Sequence, residues 1–101
     1  MTWRDVGPLE GYPEGSMRSL SLDGRLVLVV RTEEGLYAMD GRCSHMGMDL
    51  GKGRLDGHTV ECMLHHAVFD VRDGKVLRNL AARDMRTYPI KSEGGQVRID
   101  L

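Results

Sequence analysis

Short apolar runs cut by glycine turns govern what this chain can become, and no stretch of ten or more residues carries its apolar side chains at helical spacing. The longest apolar run is Leu26-Val27-Leu28-Val29-Val30. It is too short for a core helix and rich in β-branched residues, which suit a pleated surface, so it reads as a buried strand. Asp23-Gly24 just before it supplies tight-turn chemistry and makes residues 16–22 and 25–31 a hairpin. Glu34-Gly35 turns the chain into a strand over 36–39, which Asp40-Gly41 ends. Residues 58–61 form a short strand, and 67–71 alternate sides before Asp73-Gly74 returns the chain through 75–77. A last hairpin joins 88–91 to 96–100 across Ser92-Glu93-Gly94-Gly95. Short strands at this spacing indicate an all-β sandwich or barrel. Residues 41–57 stand out as a long connection without clear strands, and such loops in a small domain usually have a functional reason to exist.

At 101 residues the chain is expected to be one domain, 1–101, with a core small enough for a bound metal to add useful stability. The 14 basic and 15 acidic residues leave a net charge of −1, which points to no nucleic-acid or anionic-membrane partner. Met1-Thr2-Trp3-Arg4-Asp5-Val6 carries no apolar export signal, and no apolar run approaches the ~18 residues of a membrane span. The expected location is the reducing cytoplasm. A lone Cys43–Cys62 disulfide is not expected there, and cysteines with histidines nearby more often bind metal.

The cysteines and histidines fall in two pairs, Cys43-Ser44-His45 and Cys62-Met63-Leu64-His65, with sixteen residues between His45 and Cys62. Each pair offers one thiolate and one imidazole from a tight loop, which suits Gly41 and Gly47. Two readings compete with a redox site. The cysteines could be inert buried thiols, although two Cys/His pairs at these spacings argue against it. A Cys2His2 zinc site usually draws its cysteines from one loop and its histidines from another, whereas each loop here is mixed. His66 is the neighbour that could replace His65; the spacing favours His65. His58, in a turn, reads as solvated, as do Arg83, Asp84 and Arg86, while Trp3 and Phe69 read as core. Met46, Met48, Met63 and Leu64 either pack around the site or form an apolar rim beside it.

Cys-x-His, sixteen residues, then Cys-x-x-His resembles the Rieske ferredoxin family. The likeness extends to Trp3 and Val6 in an opening strand, to Tyr37-Ala38 ahead of the first loop, and to Gly47, Leu50 and Gly53 after it. Phe69-Asp70, Asp73-Gly74-Lys75-Val76, Tyr88-Pro89-Ile90 and Val97-Arg98-Ile99 continue it to the end of the chain. The resemblance implies stacked antiparallel sheets with a cluster-binding subdomain at one tip. It also implies a [2Fe–2S] cluster held by Cys43, His45, Cys62 and His65, with the two cysteines on one iron and the two histidines on the other. Two segments depart from the family pattern. Met63 replaces a proline and His66 a glycine in the second loop, and Leu80-Ala81-Ala82 replaces a Gly-Pro-Ala segment beside the cluster.

The implied role is that of a one-electron carrier with no catalytic residues of its own. It would be a monomer, taking electrons from a reductase and giving them to a terminal oxygenase or similar enzyme. Met46 and Met63 would flank the docking face. The alternatives are a fixed small subunit of a larger oxidoreductase, like that of assimilatory nitrite reductase, and a structural Cys2His2 zinc module. High-potential relatives add two cysteines, matching Met48 and Leu64 here, and a serine and a tyrosine, matching Ala67 and Phe69. Lacking all four, this chain is expected at the low end of the Rieske range, near ~−150 mV.

Overall fold

The computed structural model describes residues 2–44, 47–63, 66–78 and 82–101. Among these residues eleven strands run in chain order: β1 (Trp3–Pro8), β2 (Ser16–Leu22), β3 (Arg25–Thr32), β4 (Gly35–Asp40), β5 (Arg54–Asp56), β6 (Thr59–Glu61), β7 (Val68–Asp70), β8 (Val76–Arg78), β9 (Thr87–Tyr88), β10 (Ile90–Glu93) and β11 (Gln96–Asp100). Among the described residues, helix is confined to single 3-10 turns at Leu9–Gly11 and Leu50–Lys52. None is long and apolar enough to cross a membrane.

The strands form three antiparallel sheets, ordered β1-β11-β10, β2-β3-β4-β9 and β5-β6-β7-β8. The β2–β3 hairpin is in register from Ser16↔Arg31 to Leu22↔Arg25 around Asp23-Gly24, as the turn chemistry requires. The apolar run of β3 is buried on both faces. Leu28 and Val30 join a core with Met39, Val60 and Phe69, while Val27 and Val29 join another with Ala38, Tyr88, Val97 and Ile99. The alternation of a strand sends successive side chains to opposite faces, so the middle sheet is sandwiched between the other two. That is why four consecutive residues, Val27 to Val30, can all be fully buried. Each contributes ~1.5–3 kcal/mol relative to an exposed side chain.

Three features differ from the sequence expectation. The long connection contains β5, three residues of mixed polarity that pair with β6; alternation over so few positions gives no periodic signal. The expected strand over 88–91 is two strands broken at Pro89. Tyr88 pairs with Ala38 in the middle sheet, and Ile90 pairs with Ile99 in the first sheet. Pro89 has no N–H to give a ladder, and it sits where the chain changes sheets. Trp3, expected in the core, is 42% exposed on β1, with the Lys91 ammonium 4.4 Å from its ring centroid. A cation over the indole face makes an outward tryptophan favourable at the sheet edge.

The β7–β8 turn is built around Asp70. Its carboxylate accepts from the Arg72 backbone N–H at 2.9 Å and from the Arg72 guanidinium at 2.9 and 3.1 Å. The side-chain bonds from Arg72 hold the Asp70 carboxyl below its usual value against the opposing effect of burial. Gly74 closes the turn at φ 77°, and a Cβ there would lie 2.1 Å from the Met85 carbonyl oxygen. Gly94 has φ 59° with open space around it. Gly94→Ala should therefore cost only the left-handed strain of ~1–2 kcal/mol. Gly74→Ala should cost distinctly more, because the Met85 backbone must also move. Denaturant midpoints of the two variants check this; equal losses would show that the Gly74 contact carries no weight.

Candidate metal centre

The middle and third sheets position two loops that have the same construction. In the first, the Cys43 N–H donates to the Met48 carbonyl at 2.8 Å. In the second, the Cys62 N–H donates to the Ala67 carbonyl, also at 2.8 Å. Each cysteine thus stands at the base of a loop closed by a backbone bond to the residue five positions on. The first loop is tightened further by the Gly47 N–H on the Cys43 carbonyl at 2.7 Å, with Gly47 at φ 70°, and by the Arg42↔Asp49 bridge below it. The second loop connects β6 to β7, whose pairing runs from Thr59↔Asp70 to Glu61↔Val68.

The two cysteines come together in one apolar cluster. Cys43 is 3% exposed and Cys62 fully buried, packed with Leu50, Val60, Ala67, Phe69, Ala82 and Met85 among others. They are not joined to each other in a disulfide. The other two expected ligands, His45 and His65, lie outside the described residues, as do Met46, Leu64, Leu80 and Ala81. Among the described residues no three metal-ligating side chains converge. Of the methionines that could serve as packing or rim, Met48 packs against the apolar cluster and Met63 is 59% exposed.

The neighbours sort as expected with one refinement. Phe69 is core, and Arg83, Asp84 and Arg86 are exposed. His66 is exposed, with its Nδ1 2.7 Å from the Glu61 carboxylate. His58 is half-buried rather than fully solvated. Its carbonyl accepts from Val71, and its ring borders a groove with Glu14, Glu33, Glu34 and Asp56. That groove meets the β5–β6 turn, at the opposite end of β6 from the cysteine loop.

One functional contact left no mark in the sequence. Ser44, between Cys43 and His45, donates its hydroxyl proton to the Arg83 carbonyl at 2.6 Å and accepts from the Arg83 N–H at 2.8 Å. The segment after the third sheet is thereby tied to the first loop. Asp84 accepts from the Val76 N–H at 2.9 Å, Met85 N–H donates to the Gly74 carbonyl at 2.7 Å, and Asp40 N–H donates to the Arg86 carbonyl at 2.9 Å. Of these ties only that of Ser44 reaches a cysteine loop. A serine flanked by two ligand candidates signals nothing about a partner 39 residues away.

Residues 2–89 match the family described as the Rieske [2Fe-2S] domain. The chain is 35% identical over 99 residues to the ferredoxin component of the naphthalene 1,2-dioxygenase system of Pseudomonas aeruginosa, covering 98% of this chain and 95% of that one. It is 40% identical over 96 residues to the 3-phenylpropionate/cinnamic acid dioxygenase ferredoxin subunit of Escherichia coli (strain K12), covering 93% and 89%. The solved ferredoxin of carbazole 1,9a-dioxygenase from Nocardioides aromaticivorans IC177 superposes with a TM-score of 0.91 at 29% identity, covering 98% and 97%.

Ser44→Ala removes both bonds to Arg83 and should loosen that segment by ~1–3 kcal/mol, the net worth of two ordinary hydrogen bonds. Amide hydrogen exchange at Arg83 should speed accordingly while Ile99, in the other core, keeps its protection. Unchanged exchange at Arg83 would mean that the remaining ties hold the segment without Ser44.

Proposed function

The chain belongs to the Rieske [2Fe-2S] domain family, and we propose that it carries single electrons from a reductase to a terminal oxygenase. When bound, the [2Fe–2S] cluster supplies one-electron redox chemistry; the protein supplies ligands, a dry surround and a face for partners. The donor set fits the group. The observation that carries this reading is the matched pair of loops, each closing on its own buried cysteine within one apolar cluster. Two thiols from separate loops in one apolar cluster suit one iron. His45 and His65, two and three residues beyond them, would serve the other through ring nitrogens. A cytoplasmic, monomeric carrier is the form we assign. The partners follow from the relatives, which are ferredoxin components and subunits of dioxygenase systems. Exposed Met63 beside the second loop gives the docking face an adaptable apolar contact.

The ligand assignment is tested by substitution. His65→Ala should abolish the Rieske electron-paramagnetic-resonance signal, and His66→Ala should leave it present. The reverse result would move the ligand to His66. A colourless metal-loaded protein would instead favour zinc.

The potential follows from what surrounds the cysteines. Ala67 and Phe69 are both fully buried in the cysteine cluster, and neither carries a hydroxyl. Without such donors, the extra negative charge of the reduced state is less stabilised, and the oxidised state is favoured. Film voltammetry at neutral pH should give a midpoint near ~−150 mV, the low end of the Rieske range. Ala67→Ser with Phe69→Tyr should raise it. A parent midpoint above about +100 mV, well into the upper part of that range, would defeat the low-potential carrier role.

A further inference from the structure

The second cysteine loop is spanned by a side-chain strut. His66 has φ 55°, in the left-handed region, where among the described non-glycine residues only Asp23 joins it. A Cβ in that region crowds the following carbonyl, so the conformation persists only where its surroundings hold it. The holding group is Glu61, whose Oε2 lies 2.7 Å from His66 Nδ1. Glu61 ends β6 and pairs with Val68 of β7. The Cys62 N–H to Ala67 carbonyl bond is the next rung. The Glu61–His66 contact therefore crosses the mouth of the loop beside its closing backbone bond. Core packing cannot explain it, because the imidazole is 72% and the carboxylate 32% exposed.

We propose that Glu61 and His66 are positioning residues that fix the path of the second ligand loop. A glycine at position 66 enters the left-handed conformation without strain but leaves it as readily. Histidine has fewer backbone states to choose from, and the carboxylate selects the one the loop requires. A carboxylate on one ring nitrogen also fixes the orientation of the imidazole. The consequence falls on residues 63–65, held between Cys62 and a braced residue 66, and so on His65. This inference rests on the proposed ligand set and adds what orders it.

The test uses the cluster-loaded protein and the variants Glu61→Ala, Glu61→Gln, His66→Ala and the double alanine variant. The rate at which an iron chelator bleaches the visible spectrum is measured beside the thermal midpoint and the paramagnetic-resonance line shape. Glu61→Ala and His66→Ala should each bleach about two- to fivefold faster, the range expected of an exposed pair. Their lines should broaden as the loop samples more than one path. Glu61→Gln still offers an oxygen to Nδ1–H and should stay near the parent. The double variant should be no worse than either single one, because a shared contact can be lost only once. Parent-like bleaching in both single variants, or effects that simply add, would overturn the brace. Survival of the Rieske signal in His65→Ala would instead overturn the ligand set, so the two failures are distinguishable.

Discussion

A strand buried on both faces organises this molecule. β3 gives Val27 and Val29 to one core and Leu28 and Val30 to the other, and every other sheet packs onto one side or the other of the sheet it belongs to. The first cysteine loop is anchored to the start of that strand. The Gly41 N–H donates to the Leu26 carbonyl at 2.8 Å, and the Leu50 N–H returns to the Gly41 carbonyl at 2.7 Å. The second loop is anchored through Val60 and Phe69, which share the core of Leu28 and Val30. A single apolar seam therefore sets the separation of two loops that, among the described residues, have no strand pairing with each other. Truncating Leu28 would loosen both at once.

The two cores divide labour. The one between the middle and first sheets holds no cysteine. Its polar edge is fixed by Tyr12, whose hydroxyl donates to the Val6 carbonyl at 2.6 Å, and by Tyr88, whose hydroxyl donates to Asp40 at 2.5 Å. Burial is the first reason both phenols titrate above their ordinary value. The other core ends at the loops, where Cys43, Cys62, Ala67 and Ala82 replace larger side chains.

Much of this was legible in the sequence because the relevant signals are local. The Asp23-Gly24 hairpin, the β-branched run and the final hairpin depend on residues within a few positions of one another. So does the placing of each cysteine in a tight loop. What escaped was either too short or too distant. β5 has three residues and no usable period. Trp3 faces outward because Lys91, on a strand at the other end of the chain, lies over it. Pro89 breaks a run that alternates well enough to read as one strand, since the two halves belong to different sheets. Ser44 finds Arg83 only after the third sheet has turned the chain back. Glu61 and His66 are close in sequence, yet their contact depends on a left-handed residue that no propensity predicts.

Burying both cysteines in an apolar cluster has opposing electrostatic effects. A dry surround penalises an added negative charge, which favours the oxidised state. Backbone N–H groups near the sulfurs would offset this, but the two cysteine N–H groups are already committed to Met48 and Ala67 as loop closures. The hydroxyls that could compensate are missing at Ala67 and Phe69. The backbone bonds that close the loops thus engage the N–H groups of the cysteines themselves. For a carrier this is coherent, because fixed loops change little in shape when the charge changes. The exposed side of the second loop carries Met63 and His66, and its backbone is the part that Glu61 braces.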